Sequence, residues 1–239
     1  MPRIRPKVLV IIPAAGSGTR LAGQVRKQFL PLKDKPIVVH TVRQFEHCPD
    51  IDEIAIAVPE SAIVEMESLI SRYRLHKVSK VIIGGQKRQD SVANVLRKLV
   101  LKDPDIVLVH DAVRPFVEAK RITGLIKACK EHHAAVLAVQ PKDTIRRSAG
   151  GGFFDRTLDR NALWMIQTPQ AFNAGLLLKA FEKARKDAFY STDEAALVER
   201  LGVKVKIVEG SYDNIKITTQ EDLELGKLIL ERWKTKGLI

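Results

Sequence analysis

The chain has 239 residues, 45% hydrophobic and 28% charged, an ordinary balance for a soluble globular fold, and no apolar run approaches the roughly 20 residues a membrane span needs. Its 40 basic and 28 acidic residues give a formal charge of +12; the cations are spread along the whole chain with only 5% aromatics, which points to an anionic small-molecule substrate and away from nucleic acid. Cys48 and Cys129 lie far apart without CxxC spacing, and the six histidines, including His132-His133, form no HExxH-like arrangement, so neither a zinc site nor a disulfide framework is suggested. The length predicts one α/β domain with a small excursion. The start, Met1 to Lys7, is basic without a signal peptide's apolar region, so the expected location is cytoplasmic, with no membrane partner.

Val8 to Ile12 is an unbroken apolar run that suits a strand buried on both faces. Ala14, Ala15, Gly16, Ser17 and Gly18 follow with almost no side-chain bulk, so their N–H groups can form a nest around an anion, and Arg20 and Lys27 add positive charge. The loop is not a Walker loop, because Thr19-Arg20 follows Gly18, nor a dinucleotide fingerprint, because Leu21 stands where a small residue is needed. From the residues alone it is either a ligand-free tight turn or a triphosphate site, and the two cations favour the second.

Pro36 to Cys48 reads as a helix, Ile54 to Val58 as a strand, Ser61 to Tyr73 as an amphipathic helix and Val81 to Ile83 as a strand. This alternation predicts right-handed crossovers and a mostly parallel, doubly wound sheet. Gly84 to Val92 is either a glycine turn with Asp90 or Ser91 as helix cap, or a second polar pocket at the sheet's carboxyl edge. Ile106 to Phe116 pairs a buried strand with Asp111 and Arg114 at its carboxyl end, the edge where ligands bind in open α/β sheets. An acid there suits Mg²⁺ against phosphates and an arginine suits a phosphate, unless the two only pair with each other.

Ala119 to His132 reads as a helix and Ala134 to Val139 as a core strand. Pro141 to Leu158, alternating on either side of Gly150-Gly151-Gly152, predicts a projecting β-hairpin that must pack on something. Gln167 to Phe172 is too polar and proline-interrupted for a central strand. Ala174 to Asp187 is a helix, Ser191 to Glu194 caps a second from Glu194 to Leu201, Val203 to Val208 is a strand, and Thr219 caps the last helix.

Pro13-Ala14-Ala15-Gly16-x-Gly18-x-Arg20, Lys27-Gln28-Phe29-Leu30 and His110-Asp111-Ala112-Val113-Arg114-Pro115 resemble the signature of the sugar-phosphate nucleotidyltransferases. Within these the chain most resembles the 2-C-methyl-D-erythritol 4-phosphate cytidylyltransferase family, from Val8 to about Lys227. The resemblance implies a Rossmann-like sheet that joins CTP and 2-C-methyl-D-erythritol 4-phosphate, with Mg²⁺ or another divalent cation. The products would be 4-diphosphocytidyl-2-C-methyl-D-erythritol and pyrophosphate, in non-mevalonate isoprenoid precursor synthesis. It makes Arg20 and Lys27 the catalytic cations, and Pro13, Ala14, Ala15, Gly16, Gly18, Gly85, Ser91 and Asp111 the nucleotide-binding residues.

By the same resemblance Asp111, Arg114, Thr144, Thr168, Arg160 and Lys216 position the second substrate, the last two at its phosphate. Asp111 is the candidate metal ligand, with the cation held mainly by the CTP phosphates. Residues 141–160 would be a dimerisation arm that crosses to the other subunit of a homodimer. Gln86 departs from the acidic residue that some members carry. A cytidylyltransferase for ribitol 5-phosphate shares the first loop, the lysine motif and HD-x-VRP, but Thr168-Pro169-Gln170 and the Asp213 to Lys216 run favour methylerythritol phosphate. A catalytically idle nucleotide-binding regulator would not need Arg20, Lys27 and Asp111 together.

Overall fold

The computed structural model describes residues 5–16 and 26–238. Its elements run β1 (Val8–Pro13), β2 (Pro31–Leu32), β3 (Lys35–Pro36), α1 (Ile37–Glu46), β4 (Glu53–Val58), α2 (Ile63–Tyr73), β5 (Val78–Ile83), α3 (Arg88–Leu96), β6 (Ile106–Val109), α4 (Ala119–His132) and β7 (Ala134–Val139). There follow β8 (Arg146–Gly150), β9 (Phe153–Thr157), β10 (Met165–Asn173), α5 (Ala174–Lys186), α6 (Ala195–Glu199), β11 (Lys206–Glu209) and α7 (Gln220–Thr235).

Seven strands form one sheet in the order β11-β7-β10-β6-β1-β4-β5, parallel throughout except that β10 runs antiparallel to both β6 and β7. Alternation along β1 sends Val8, Val10 and Ile12 to one face, where α1, α2 and α4 bring Val42, Phe45, Met66 and Leu125. Ile11 faces the other side, with Val95, Leu177 and Leu197 of α3, α5 and α6. Helices on both faces make a doubly wound, Rossmann-like fold and explain why β1, β6 and β7 are continuous apolar runs. α7 closes one end, packing Leu230 and Trp233 against Leu32, Ile37 and Phe116. Among the described residues no helix is long and apolar enough to cross a membrane.

The segment around Thr168 departs from the expectation: it is no peripheral connection but part of β10, third in the sheet, with Gln167 to Phe172 buried. Each of its polar side chains has a partner, which removes the usual cost of burial. Gln167 donates to Ser211 O at 2.8 Å, Thr168 accepts from Asp111 N at 3.0 Å, and Gln170 donates to Asp193 Oδ2 at 3.0 Å. Pro169, which has no N–H to give, falls in a register shift between Ile166 and Gln170, where the ladder with β7 is interrupted. Other differences are at boundaries: β5 starts at Val78 and β11 at Lys206. Thr219 caps α7 as expected, accepting from Asp222 N at 3.3 Å, whereas the N-cap of α3 is Lys87 and not Asp90 or Ser91: Asp90 stands at the third helical position and accepts from Lys87 N at 3.0 Å.

β8 and β9 form the expected hairpin, turning through Gly150, Gly151 and Gly152 at φ +90°, +59° and +83°, values open to glycine. Every residue of both strands is exposed in the single chain, including Phe153 (75%) and Phe154 (64%).

At the carboxyl edge the turn after β1 touches the turn after β5. A Cβ on Gly84 would lie 2.3 Å from Ala15 Cβ and 2.9 Å from Ser91 Oγ, so the two turns meet only because residue 84 has no side chain. Gly84→Ala is expected to lower unfolding free energy by about 1–3 kcal/mol in denaturant titrations. Gly124→Ala, in mid-α4 where a Cβ meets nothing within 4 Å, should be neutral or gain up to about 1 kcal/mol. A Gly84→Ala protein as stable as wild type would show that the close approach is not required.

Candidate active site

Three turns at this edge enclose a cleft of about 180 Å³, lined by residues 13–16, Lys27, Gln28, residues 85–88, Ser91, residues 111–113 and Lys216. The first turn leaves β1 with Ala14 N donating to Ala57 O at 2.7 Å, which carries the ladder one residue past the strand. Buried Gln28 donates to Ala14 O at 2.6 Å. The short 3-10 turn Lys27–Phe29 thus clamps the first turn and sets Lys27 at the cleft. In the second turn the Ser91 hydroxyl accepts from Gly85 N at 3.1 Å and lies 3.2 Å from Lys87 O. Ser91 therefore shapes the backbone that faces the cleft.

The third turn follows β6. His110 is fully buried, with Nε2 2.9 Å from Arg114 O and Nδ1 3.1 Å from Thr168 Oγ1. A carbonyl only accepts, so Nε2 carries the proton and Nδ1 accepts from the Thr168 hydroxyl. Burial pulls the His110 pKa down to about 4, which keeps the ring neutral near pH 7. Thr168 Oγ1 in turn accepts from Asp111 N at 3.0 Å. This relay fixes the backbone from which Asp111 projects.

Asp111 is 7% exposed. Its Oδ1 accepts from Arg88 Nε at 3.0 Å, and its Oδ2 lies 3.0 Å from Lys216 Nζ and 3.3 Å from Arg114 Nε. Burial pushes its pKa up, but Arg88, Lys216 and Arg114 outweigh that and hold it well below the usual carboxylate range. Arg114 is held from behind by Asn214 O at 2.8 Å, and Arg88 by Glu194, 2.7 Å from Nη1.

Lys27, Asp111, Lys216, Pro13, Ala14, Ala15, Gly16, Gly85 and Ser91 thus meet at one cleft. Arg114 stands behind Asp111, and Thr168 is buried in the His110 relay, its hydroxyl engaged on both sides. Arg160 and Thr144 are exposed at the base of the hairpin, and Arg160 donates to Lys142 O at 2.9 Å in a separate recess of about 260 Å³ with Gln140 and Tyr212. Within one chain they do not join the cleft. Arg20 and Gly18 lie outside the described residues. Sequence reasoning gave no site role to Gln28, Arg88 or His110, and read Glu194 only as part of a helix cap. Gln28 and Arg88 stand inside motifs already singled out, whereas nothing local distinguishes Glu194 from a helix-start acid.

Among the described residues no group of three or more His, Cys, Asp and Glu side chains could hold a metal ion, and Asp111 is the one acid in the cleft lining. This donor set fits a hard cation that brings oxygen ligands of its own, as one bound to a triphosphate does.

Comparison with known proteins agrees with this architecture. A sequence model described as 2-C-methyl-D-erythritol 4-phosphate cytidylyltransferase matches residues 8–232. A protein of that name from Syntrophus aciditrophicus is 43% identical over 230 residues, 96% of this chain and 98% of its own length. Another from Symbiobacterium thermophilum is 45% identical over 224 residues, 94% of this chain and 93% of its own. The crystal structure of 4-diphosphocytidyl-2C-methyl-D-erythritol synthase from Anaerococcus prevotii superposes with a TM-score of 0.83 at 29% identity, covering 95% of this chain and 97% of that one. On the family match, the relatives and the shared fold together, the chain belongs to the 2-C-methyl-D-erythritol 4-phosphate cytidylyltransferase family.

Proposed function

We propose that this chain joins CTP to 2-C-methyl-D-erythritol 4-phosphate at the cleft around Asp111, releasing pyrophosphate. A phosphate oxygen of the sugar alcohol attacks the α-phosphorus in line; the new P–O bond forms as the bond to the β-phosphate bridging oxygen breaks, and that oxygen leaves with pyrophosphate. No covalent nucleophile is needed. The protein's task is to hold two anions together and to meet the charge that develops between them.

The observation that carries this reading is the convergence of Lys27, Asp111 and Lys216 with the small-residue turn 13–16 on one cleft. Backbone N–H groups of that turn cradle the triphosphate, and by the family signature Gly18 joins them while Arg20 and Lys27 stabilise the transition state. The turn of Gly85, shaped by Ser91, receives the base and ribose. Lys216 and Arg160 receive the phosphate of the second substrate. Arg114 and Thr168 contribute by fixing Asp111. A divalent cation such as Mg²⁺, carried on the triphosphate, supplies neutralising charge when bound, and Asp111 is the carboxylate that would face it.

Assembly completes the site in this proposal. The β8–β9 hairpin is exposed along both arms, with Phe153 and Phe154 uncovered, and a lone two-stranded ribbon is marginal in water. Exchange of hairpins about a two-fold axis covers both ribbons and brings Thr144 and Arg160 of one chain to the Lys27–Lys216 cleft of its partner. Residues 1–239 then form a single nucleotidyltransferase domain whose arm, 141–160, belongs functionally to the neighbouring subunit.

Substrate choice is checked by pyrophosphate release across four nucleotides and a panel of sugar-alcohol phosphates. CTP with 2-C-methyl-D-erythritol 4-phosphate and a divalent cation should give the highest kcat/KM. A higher value with ribitol 5-phosphate would assign the chain to the other substrate.

The shared site is checked by subunit complementation. Lys27→Ala and Arg160→Ala homodimers are each expected to lose roughly 10²-fold or more in kcat, in line with the loss of a preorganised charge. When the two are co-refolded, half the dimers are mixed and each has one intact site, so roughly a quarter of wild-type activity should return. A mixture as inactive as its parents, with subunit exchange demonstrated, would mean that Arg160 acts within its own chain.

A further inference from the structure

Behind the cleft stands a buried carboxylate to which the proposed reaction gives no part. Glu194 is 1% exposed, and both its oxygens face Arg88, Oε1 at 2.7 Å and Oε2 at 2.8 Å from Nη1. The same guanidinium turns its Nε to Asp111 Oδ1 at 3.0 Å. One arginine thus bridges two carboxylates, one in the cleft wall and one in the interior.

Helix capping does not account for the inner one. Glu194 is the N-cap residue of α6, but its side chain makes no cap hydrogen bond; Asp193 before it supplies the oxygen, Oδ1 accepting from Ala196 N at 3.2 Å. The Glu194 side chain points the other way, to a residue that lines the cleft. A buried acid is costly to keep unless it is paired, and pairing it with a lone arginine stabilises less than apolar packing of the same volume often does. Its placement therefore suits geometry better than stability.

The geometry is that of a brace. A guanidinium is a rigid planar fork, so fixing Nη1 also fixes the direction of Nε. Buried Gln170 fixes the brace in turn: its Oε1 accepts from Ala195 N at 3.1 Å and its Nε2 donates to Asp193 Oδ2 at 3.0 Å. Gln170 belongs to β10, the strand whose Thr168 accepts from Asp111 N. Both the backbone of Asp111 and the far end of its arginine clamp therefore rest on one strand.

We propose that Glu194 is a positioning residue for the transfer reaction, holding Arg88 so that Arg88 fixes one oxygen of Asp111 and leaves the other to face Lys216 in the cleft. The inference rests on the substrate-side role given to Asp111 and Lys216.

The test combines kinetics with a spectroscopic probe of the brace. Glu194→Gln keeps the volume and removes the charge. It should lower kcat by roughly tenfold or more while KM for CTP changes less, as loss of an outer partner typically does. In ¹⁵N spectra the Arg88 Nε–H resonance should shift and exchange faster with solvent. Arg88→Lys, which keeps the charge but cannot bridge both acids, should show a similar kcat loss if Glu194→Gln proves too unstable to measure. Adding Glu194→Gln to an Arg88→Met protein should cost nothing further, because the two act through one chain of contacts. A Glu194→Gln protein with lowered Tm but wild-type kcat and an unchanged Arg88 Nε–H signal would overturn the proposal, as would additive losses in the double variant or wild-type kcat in Arg88→Lys. Asp111→Asn separates the two levels. If it retains wild-type turnover, the role given to Asp111 fails and takes the brace with it; if it is impaired while Glu194→Gln is not, the brace alone fails.

Discussion

The cleft depends on a single buried carboxylate kept charged by cations from three separate stretches of chain. Asp111 sits after β6, Arg88 opens α3, Arg114 lies at the end of the same turn as Asp111, and Lys216 comes from the segment before α7. Burial works against the charged form, and the cations at 3.0–3.3 Å work for it with a strength that grows as water is excluded. Asp111 is therefore also a tie: it links the start of α3, the turn after β6 and the segment before α7 through one side chain, at the cleft where two anionic substrates would meet.

Around that tie, several polar side chains shape the backbone of the cleft wall. Gln28 holds Ala14 O, Ser91 holds Gly85 N and Thr168 holds Asp111 N. The effect is preorganisation. Donors set in advance need little rearrangement when charge develops on the phosphates, and this is where most of a phosphoryl-transfer enzyme's advantage arises. Gly84 serves the same end by absence, letting the turns after β1 and β5 approach within the space of a missing methyl.

What could be read in the sequence was what is encoded locally. The apolar run of β1, the glycine turn of the hairpin and the Thr219 cap each depend on neighbours a few residues away, and each takes the expected form. β10 was not legible, because Gln167, Thr168 and Gln170 look like surface residues until their partners at Ser211, Asp111 and Asp193 are known. The brace was hidden for the same reason, since Arg88 and Glu194 are 106 positions apart and a buried glutamate at a helix start looks like any acidic first turn. Thr144 and Arg160 illustrate a different limit. Their motifs stand out in the sequence, yet the single chain leaves them away from the cleft.

The balance of burial and charge at Asp111 can be measured directly. A carboxylate whose folded pKa lies below its unfolded value of about 3.9 contributes stability that is present above that value and is lost as pH falls through the folded pKa. Carbon-13 titration of the Asp111 carboxyl in metal-free protein, from pH 7 to the acid limit of the fold, reads that pKa. The resonance should keep its ionised position below about pH 3, after exposed carboxylates have titrated. A midpoint at or above about pH 4 would show that burial prevails over Arg88, Lys216 and Arg114, and would contradict the claim that these cations hold the cleft together.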